Sequence, residues 1–278
     1  MNVLTVDYHA ENAPILFCKS LKETGFAVLS HHPVSTTLID EAYEKWREFF
    51  QSDKKLEYVP AKSVQDGYFP FRTEHAKDNK IGDLKEFFHY YPSGRKPPET
   101  NAVSAEMYQQ LNNMAKVLLQ WIENHLPKDV AGRLSMPLKD MIKDSPNTLL
   151  RILHYPPLDG DIEEGAIRGA AHEDINLITL LPAATAPGLE VKDVHGNWHA
   201  VPCDPGNIVV NVGDMLQECT DYYFKSTTHR VTNPTDENQH CSRYSMPLFL
   251  HARPEVRLSE KLTAEEYLHQ RLREIGIY

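Results

Sequence analysis

Cysteine is scarce in this chain, and its cysteines are never closely spaced. Cys18, Cys203, Cys219 and Cys241 lie far apart and form no CxxC pair. A zinc knuckle needs cysteines at short, regular spacing, and a disulfide framework belongs to small cysteine-rich chains. The sequence therefore predicts reduced thiols and a cytoplasmic protein.

Long apolar runs and basic runs are also missing. No stretch approaches the roughly 20 apolar residues of a membrane helix, and the first ten residues lack the pattern of a signal peptide. The net charge is −10, and no basic run is interleaved with aromatic residues. Nucleic acid or an anionic membrane surface would require a basic patch, so we expect neither as a main partner.

Hydrophobic residues make up 41% of the 278 residues and charged residues 24%, which is ordinary for a globular protein. Apolar residues at helical spacing predict amphipathic helices over residues 10–24, 36–50, 103–125 and 263–275. Short apolar segments between Pro and Gly residues predict strands over 26–30, 148–155, 175–181, 188–192, 198–201, 207–212, 228–232 and 243–251.

Many short strands at close spacing favour a β-sandwich or barrel over βαβ units. The predicted fold class is therefore mainly β with α: a β core with N-terminal helices and a C-terminal helix packed against it. We expect one domain over residues 1–278. It would comprise a mainly helical region (1–145), the β core with the functional site (146–255) and the C-terminal helix (256–278).

A candidate metal site lies in the predicted β core. His172 and Asp174 form an HxD pair, and His229 follows further along the chain. Two imidazoles and one carboxylate can occupy one face of an octahedral iron and leave three positions open for other ligands. A closed structural zinc site would need a fourth protein ligand. Glu173 is the alternative carboxylate, in which case Asp174 would serve only a turn.

Several further motifs stand around these residues, in order along the chain. They are His172-Glu-Asp174, Ile178-Thr-Leu-Leu181, Pro187-Gly-Leu-Glu-Val191, the segments 205–216 and 226–234, and Arg243-Tyr-Ser245. Together they resemble the isopenicillin N synthase family of 2-oxoglutarate- and Fe(II)-dependent oxygenases. Residues 24–28 and 67–70 resemble the N-terminal region of that family. The resemblance implies a double-stranded β-helix, or jelly roll.

The same resemblance implies a site for 2-oxoglutarate. Arg243 and Ser245 are two residues apart, so on a strand they point the same way, and they would hold the distal carboxylate by charge-assisted hydrogen bonds. Tyr155 matches a family tyrosine that contacts this carboxylate, whereas Leu153 replaces a family asparagine and cannot form a hydrogen bond. Arg243 could instead form a structural ion pair, and Tyr155 could simply belong to the core.

The implied activity is oxidation of a small molecule by dioxygen, most often hydroxylation, with release of succinate and CO2. Two alternatives are an Fe(II) oxidase of the same fold that uses no 2-oxoglutarate, as in isopenicillin N synthase, and a non-enzymatic jelly-roll binding protein. Arg151 should share a strand face with Tyr155, where it would either bind an anionic substrate group or pair with an acid. Tyr68 and Phe69, with the strand at 85–90, are expected at the mouth of the site.

Overall fold

The computed structural model describes residues 1–61, 64–74, 81–160, 162–202, 204–235 and 237–274. Its α-helices are α1 (Ala13–Thr24), α2 (Thr36–Gln51), α3 (Pro98–Asn124), α4 (Lys128–Ala131), α5 (Leu138–Met141), α6 (Asp214–Cys219) and α7 (Ala264–Glu274). Two short 3-10 helices span Asp53–Tyr58 and Glu237–His240. Among the described residues no helix is both long and apolar enough to cross a membrane.

Thirteen strands are present in the described part of the chain. The N-terminal ones are β1 (Thr5–Asp7), β2 (Phe26–Ser30), β3 (Gly67–Phe69), β4 (Glu86–Tyr90) and β5 (Leu149–Tyr155). The middle ones are β6 (Gly169–His172), β7 (Ile178–Pro182), β8 (Leu189–Lys192), β9 (Trp198–Ala200) and β10 (Ile208–Val212). The last are β11 (His229–Val231), β12 (Arg243–Ser245) and β13 (Leu248–Leu250).

The strands form two sheets. The large sheet has the order β1-β2-β10-β7-β13-β5-β4-β3, with β12 also paired to β5, and the small sheet has the order β6-β11-β8-β9. Apart from the parallel pair β1–β2, the described strand pairs are antiparallel. One apolar cluster joins side chains of both sheets, including Phe26, Leu181 and Val191. The predicted jelly-roll core with added helices is confirmed.

The N-terminal helices cover the outer face of the large sheet. Trp46 of α2 is fully buried and lies 4.9 Å from Phe88 of β4, measured between ring centroids. Its indole N–H donates to the Ser104 hydroxyl of α3 at 3.0 Å, so one side chain ties two helices to the sheet. The main apolar cluster includes residues of α1, α2 and α3 and reaches Ala264 of α7.

Glycine ends α1 where the sequence predicts it. Gly25 has a left-handed backbone (φ 75°), and its N–H donates to the Leu21 carbonyl. A Cβ at this position would also overlap the Thr227 hydroxyl. Glycine is thus required here for both reasons.

Several features of the structure differ from the sequence predictions. The strand predicted over 243–251 is two strands, β12 and β13, because Pro247 between them has no N–H to donate to a ladder. Strands β1, β3 and β6 and helices α4, α5 and α6 were not predicted. Helix α3 begins at Pro98, five residues before the predicted start, since proline suits the first turn of a helix. Ile275, the predicted last residue of the C-terminal helix, lies outside the described residues.

We expect Trp46→Ala to lower the free energy of unfolding by about 3–5 kcal/mol, the usual cost of deleting a buried aromatic ring. Trp46→Phe should lose less, because it keeps most of the volume. Urea unfolding followed by circular dichroism measures both changes. Leu56→Ala, at a side chain 57% exposed, is the control and should have little effect. An equally small effect of Trp46→Ala would contradict the conclusion that this side chain holds α2 and α3 against the large sheet.

Candidate metal centre and active site

Strand pairing in the small sheet brings the two histidines together. His172 ends β6 and His229 begins β11, and the two residues are direct partners in the antiparallel register. Their ring centroids are 4.4 Å apart. Asp174 lies two residues beyond His172, and its Oδ1 is 3.7 Å from the Nε2 of each imidazole. The three potential ligand atoms lie within 4.8 Å of one another.

Backbone carbonyls orient both imidazoles. The Nδ1 of His172 lies 2.8 Å from the Ala170 carbonyl, and the Nδ1 of His229 lies 3.1 Å from the Thr227 carbonyl. A carbonyl can only accept, so each Nδ1 carries the proton and each Nε2 keeps its lone pair for a metal.

The second oxygen of Asp174 is also fixed. Oδ2 accepts hydrogen bonds from the Thr179 hydroxyl at 2.6 Å and from the Asn211 amide at 2.7 Å. Asn176 in turn donates to the Thr179 hydroxyl at 3.0 Å, which directs the hydroxyl proton toward Asp174. Oδ1 is therefore the oxygen available to a cation.

The protonation states suit a metal site. Burial raises the pKa of Asp174, but His229, His172 and the two hydrogen bonds outweigh it and hold the pKa below its ordinary value. Burial and the neighbouring His229 lower the pKa of His172, which favours the neutral, ligating imidazole. One carboxylate and two imidazoles that face a common position match the 2-His-1-carboxylate arrangement of non-haem iron sites.

Glu173, the alternative carboxylate, has a different partner. Its side chain accepts a hydrogen bond from the Thr228 hydroxyl. Among the residues that the structure describes, no fourth His, Cys, Asp or Glu joins the three-residue cluster. The geometry therefore favours Asp174.

Arg243, Ser245 and Tyr155 meet where β12 pairs with β5. Arg243 lies opposite Tyr155 and Ser245 lies opposite Leu153. The Arg243 side chain is buried, and its Nε donates to the carbonyls of Ala186 and Pro187 at 2.9 and 3.1 Å. Its guanidinium carbon is 5.0 Å from the centroid of the Tyr155 ring, and its Nη1 has no hydrogen-bond partner.

No carboxylate in the described ranges pairs with Arg243, so the structural ion pair considered from the sequence is not found there. Tyr155 packs in an apolar cluster with Phe87, Leu153 and Val231. The core and cosubstrate interpretations of Tyr155 are therefore compatible, because its ring belongs to the cluster and also lies beside the Arg243 guanidinium.

A second buried arginine was missed by the sequence analysis. Arg168 immediately precedes β6 and is 0% exposed. Its Nη2 donates to the Cys241 carbonyl at 3.1 Å, and its Nε has no partner. Burial and the nearby Arg243 lower its pKa. No local pattern signals it, because Arg168 lies before β6 and the register of β6 with β11 shifts between Gly169 and His172.

A cavity of about 620 Å³ borders the candidate metal-ligand cluster formed by His172, Asp174 and His229. His172 and Asp174 form part of its lining. Charged and polar residues form another part: Glu74, Asp83, Lys85, His89 and Arg151. Apolar side chains also contribute: Leu149, Phe249, Leu268 and Leu272.

The charged residues of this lining are paired with one another. Glu74 accepts from Arg151 at 2.6 Å and from Lys85 at 2.8 Å, and Lys85 also contacts Asp83 at 2.7 Å. Burial raises the pKa of Glu74, but Arg151 and Lys85 outweigh it and hold the pKa well below its ordinary value. Arg151 thus lines the cavity and pairs with an acid at the same time, so it is not a free cation awaiting an anionic substrate.

The two aromatic residues of β3 point to opposite faces. Tyr68 is buried in the main core and its hydroxyl donates to Glu86, so its predicted substrate contact is wrong. Phe69 stacks on Phe87 at 4.8 Å and lies 4.7 Å from the ring of His89, which lines the cavity. Strand alternation explains the difference, since adjacent residues on a strand cannot face the same cavity.

Comparison with known proteins identifies related oxygenases. Residues 146–252 match the 2OG-Fe(II) oxygenase superfamily, and residues 17–114 match the N-terminal region of non-haem dioxygenases named for morphine synthesis. A crystal structure of a protein assigned as an oxygenase from Shewanella oneidensis is 49% identical, covers 100% of both chains and has a TM-score of 0.91. A 2OG-Fe(II) oxygenase family protein from Caulobacter crescentus is 33% identical over 99% of each chain, with a TM-score of 0.80.

A curated relative carries the activity in its name. The 2-oxoglutarate-dependent dioxygenase citB of Monascus ruber is 28% identical, over 89% of this chain and 84% of its own. The chain belongs to the 2OG-Fe(II) oxygenase superfamily. It is a dioxygenase that depends on Fe(II) and 2-oxoglutarate, so the alternative of a non-enzymatic jelly-roll binding protein is set aside.

Asp174→Ala and Glu173→Ala form a matched pair that tests the carboxylate ligand. Asp174→Ala should weaken Fe(II) binding by more than ~100-fold. Even the loss of a residue that only hydrogen-bonds to a metal ligand typically lowers metal affinity by about 10–100-fold. Glu173→Ala should leave binding nearly unchanged. Anaerobic calorimetric titration with Fe(II) measures both. The reverse pattern would make Glu173 the ligand.

Proposed function

We propose that His172, Asp174 and His229 hold Fe(II) at the base of the cavity and that Arg243, Ser245 and Tyr155 hold the distal carboxylate of 2-oxoglutarate. The observation that carries this assignment is the convergence of three otherwise uncommitted ligand atoms beside the cavity. The buried, unpartnered Nη1 of Arg243 supports the second part, because a buried N–H without an acceptor is costly and a carboxylate would satisfy it.

When bound together, Fe(II) and 2-oxoglutarate supply the oxidising chemistry, in which dioxygen is consumed, succinate and CO2 are released and the substrate is oxidised. The protein contributes position and environment. Thr179 and Asn211 keep Asp174 oriented, and the Ala170 and Thr227 carbonyls keep both imidazoles oriented. The apolar cluster around Leu153 keeps water from the carboxylate end.

The cavity indicates the kind of substrate. A volume near 620 Å³ is within the range of small-molecule sites. The lining combines ion-paired charged residues with apolar side chains, which suits a small molecule with one polar and one apolar part. His89 adds an acceptor: its Nδ1 lies 2.7 Å from the Gln65 carbonyl, and its Nε2 has no partner. Burial lowers the pKa of His89 to about 3, so the ring is neutral and this nitrogen can accept from a substrate N–H or O–H.

We further propose that the chain is one domain and works in the cytoplasm. The main apolar cluster contains residues from the N-terminal helices, the β core and α7, which supports one folding unit. Cys18, Cys219 and Cys241 are free, as expected where thiols remain reduced.

A coupled assay tests the proposed function. The purified protein, supplied with Fe(II), dioxygen and pooled small metabolites, should consume 2-oxoglutarate and form succinate in equal amounts. Arg243→Gln should retain Fe(II) binding but raise the apparent KM for 2-oxoglutarate roughly 10- to 100-fold, because it removes the charge and the planar fork.

Arg230→Gln is the control for this assay. Arg230 neighbours His229 in sequence but pairs with Glu190 at 2.8 Å, so its loss should leave the KM for 2-oxoglutarate unchanged. Substrate oxidation with Fe(II) and dioxygen alone, without succinate, would contradict the proposal and favour the oxidase alternative.

A further inference from the structure

Arg168 is a buried cation without an acidic partner among the described residues. Its side chain is fully buried, and its one described side-chain hydrogen bond goes to a neutral acceptor, the Cys241 carbonyl. The Nε–H has no acceptor. Burying a guanidinium under these conditions is costly, since proteins normally pair buried charges.

Arg243 has the same properties and lies nearby. It too is buried, donates to neutral carbonyls, and has an N–H group, at Nη1, without an acceptor. Arg168 donates to the carbonyl of Cys241, two residues before Arg243, and the Arg243 guanidinium carbon lies 5.0 Å from the Tyr155 ring centroid. The charge of Arg243 also lowers the pKa of Arg168. A shared anion would relieve this repulsion and accept from the unsatisfied N–H groups, and the described residues do not supply one.

The surroundings of this pair are apolar on one side. Phe87, Leu153, Tyr155 and Val231 form a cluster beside it, and Leu153 offers no hydrogen bond. The unsatisfied donors of Arg168 and Arg243 are therefore the polar groups best placed to receive an anion. A carboxylate has about four lone-pair sites, enough to accept from both guanidinium groups.

We propose that Arg168 acts with Arg243 as a second guanidinium contact for the distal carboxylate of 2-oxoglutarate. This inference rests on the proposed function and adds a residue to its cosubstrate site. The second arginine compensates for Leu153, which lacks the amide that the resemblance led us to expect. It also predicts strong selection for a 2-oxo acid with a second carboxylate.

If Arg168 had a purely structural role, the opposite results would be expected for stability and for ligand binding. In that role the arginine would hold the segment before β12 through the Cys241 carbonyl, and its loss would destabilise the protein without changing ligand discrimination. A ligand pair separates the two roles: 2-oxoglutarate carries the distal carboxylate, and 2-oxobutyrate lacks it.

The test is anaerobic calorimetric titration of the Fe(II)-loaded protein with both 2-oxo acids. Arg168→Met should raise the Kd of 2-oxoglutarate at least tenfold, leave the Kd of 2-oxobutyrate unchanged within about threefold, and leave Fe(II) binding intact. Arg168→Lys, which keeps the charge without the fork, should give a smaller loss. Arg253→Met, at an arginine paired with Glu255, should change neither Kd.

Thermal unfolding without 2-oxoglutarate gives an independent reading. Replacing an uncompensated buried charge with an apolar side chain of similar length should leave the Tm unchanged or raise it. The rise in Tm on adding 2-oxoglutarate should shrink, because that rise follows affinity. A lower Tm for Arg168→Met together with an unchanged Kd for 2-oxoglutarate would overturn the inference. Failure of the wild-type protein to bind 2-oxoglutarate would instead overturn the proposed function itself.

Discussion

The pairing of β6 with β11 is the constraint on which the site depends. His172 and His229 are direct partners across this pair, so the backbone ladder itself sets the distance between the imidazoles. A slip of one residue would turn one histidine to the opposite face of the small sheet. Asp174, placed just after β6, completes the cluster only because that register is held.

Strand β6 also connects the candidate metal-ligand cluster to the cavity wall. Asp83 accepts a hydrogen bond from the Ala170 N–H, and the Ala170 carbonyl in turn accepts from the His172 imidazole. Asp83 also pairs with Lys85, and Glu74 links Lys85 to Arg151. The charged wall is thus a continuous network that ends on His172, a proposed metal ligand. Three contacts link Lys85 to His172: the ion pair with Asp83, the Ala170 N–H bond to Asp83, and the His172 imidazole bond to the Ala170 carbonyl.

Sequence patterns predicted the parts of the site that depend on local order. Short motifs led to the two histidines, Asp174 and the Arg243–Ser245 pair as candidates. Many short strands predicted a β-sandwich or barrel, and the family resemblance added the jelly roll. Two errors were avoidable by the same reasoning: Pro247 marks the break between β12 and β13, and Tyr68 and Phe69 cannot share one strand face. The Arg151–Glu74 pair joins residues far apart in sequence, so no local pattern could predict it. Arg168 lies before β6, and the register between Gly169 and His172 is irregular, so only the fold shows that its side chain reaches the segment before Arg243.

The most direct test of the account is a crystal structure of the protein prepared anaerobically with Fe(II) and 2-oxoglutarate. We expect one metal bound by the Nε2 atoms of His172 and His229 and by Oδ1 of Asp174, at about 2.0–2.3 Å by analogy with zinc–ligand distances. We also expect the distal carboxylate of 2-oxoglutarate to lie against Arg243. A metal held by other side chains, or 2-oxoglutarate bound with its distal carboxylate away from Arg243, would contradict it.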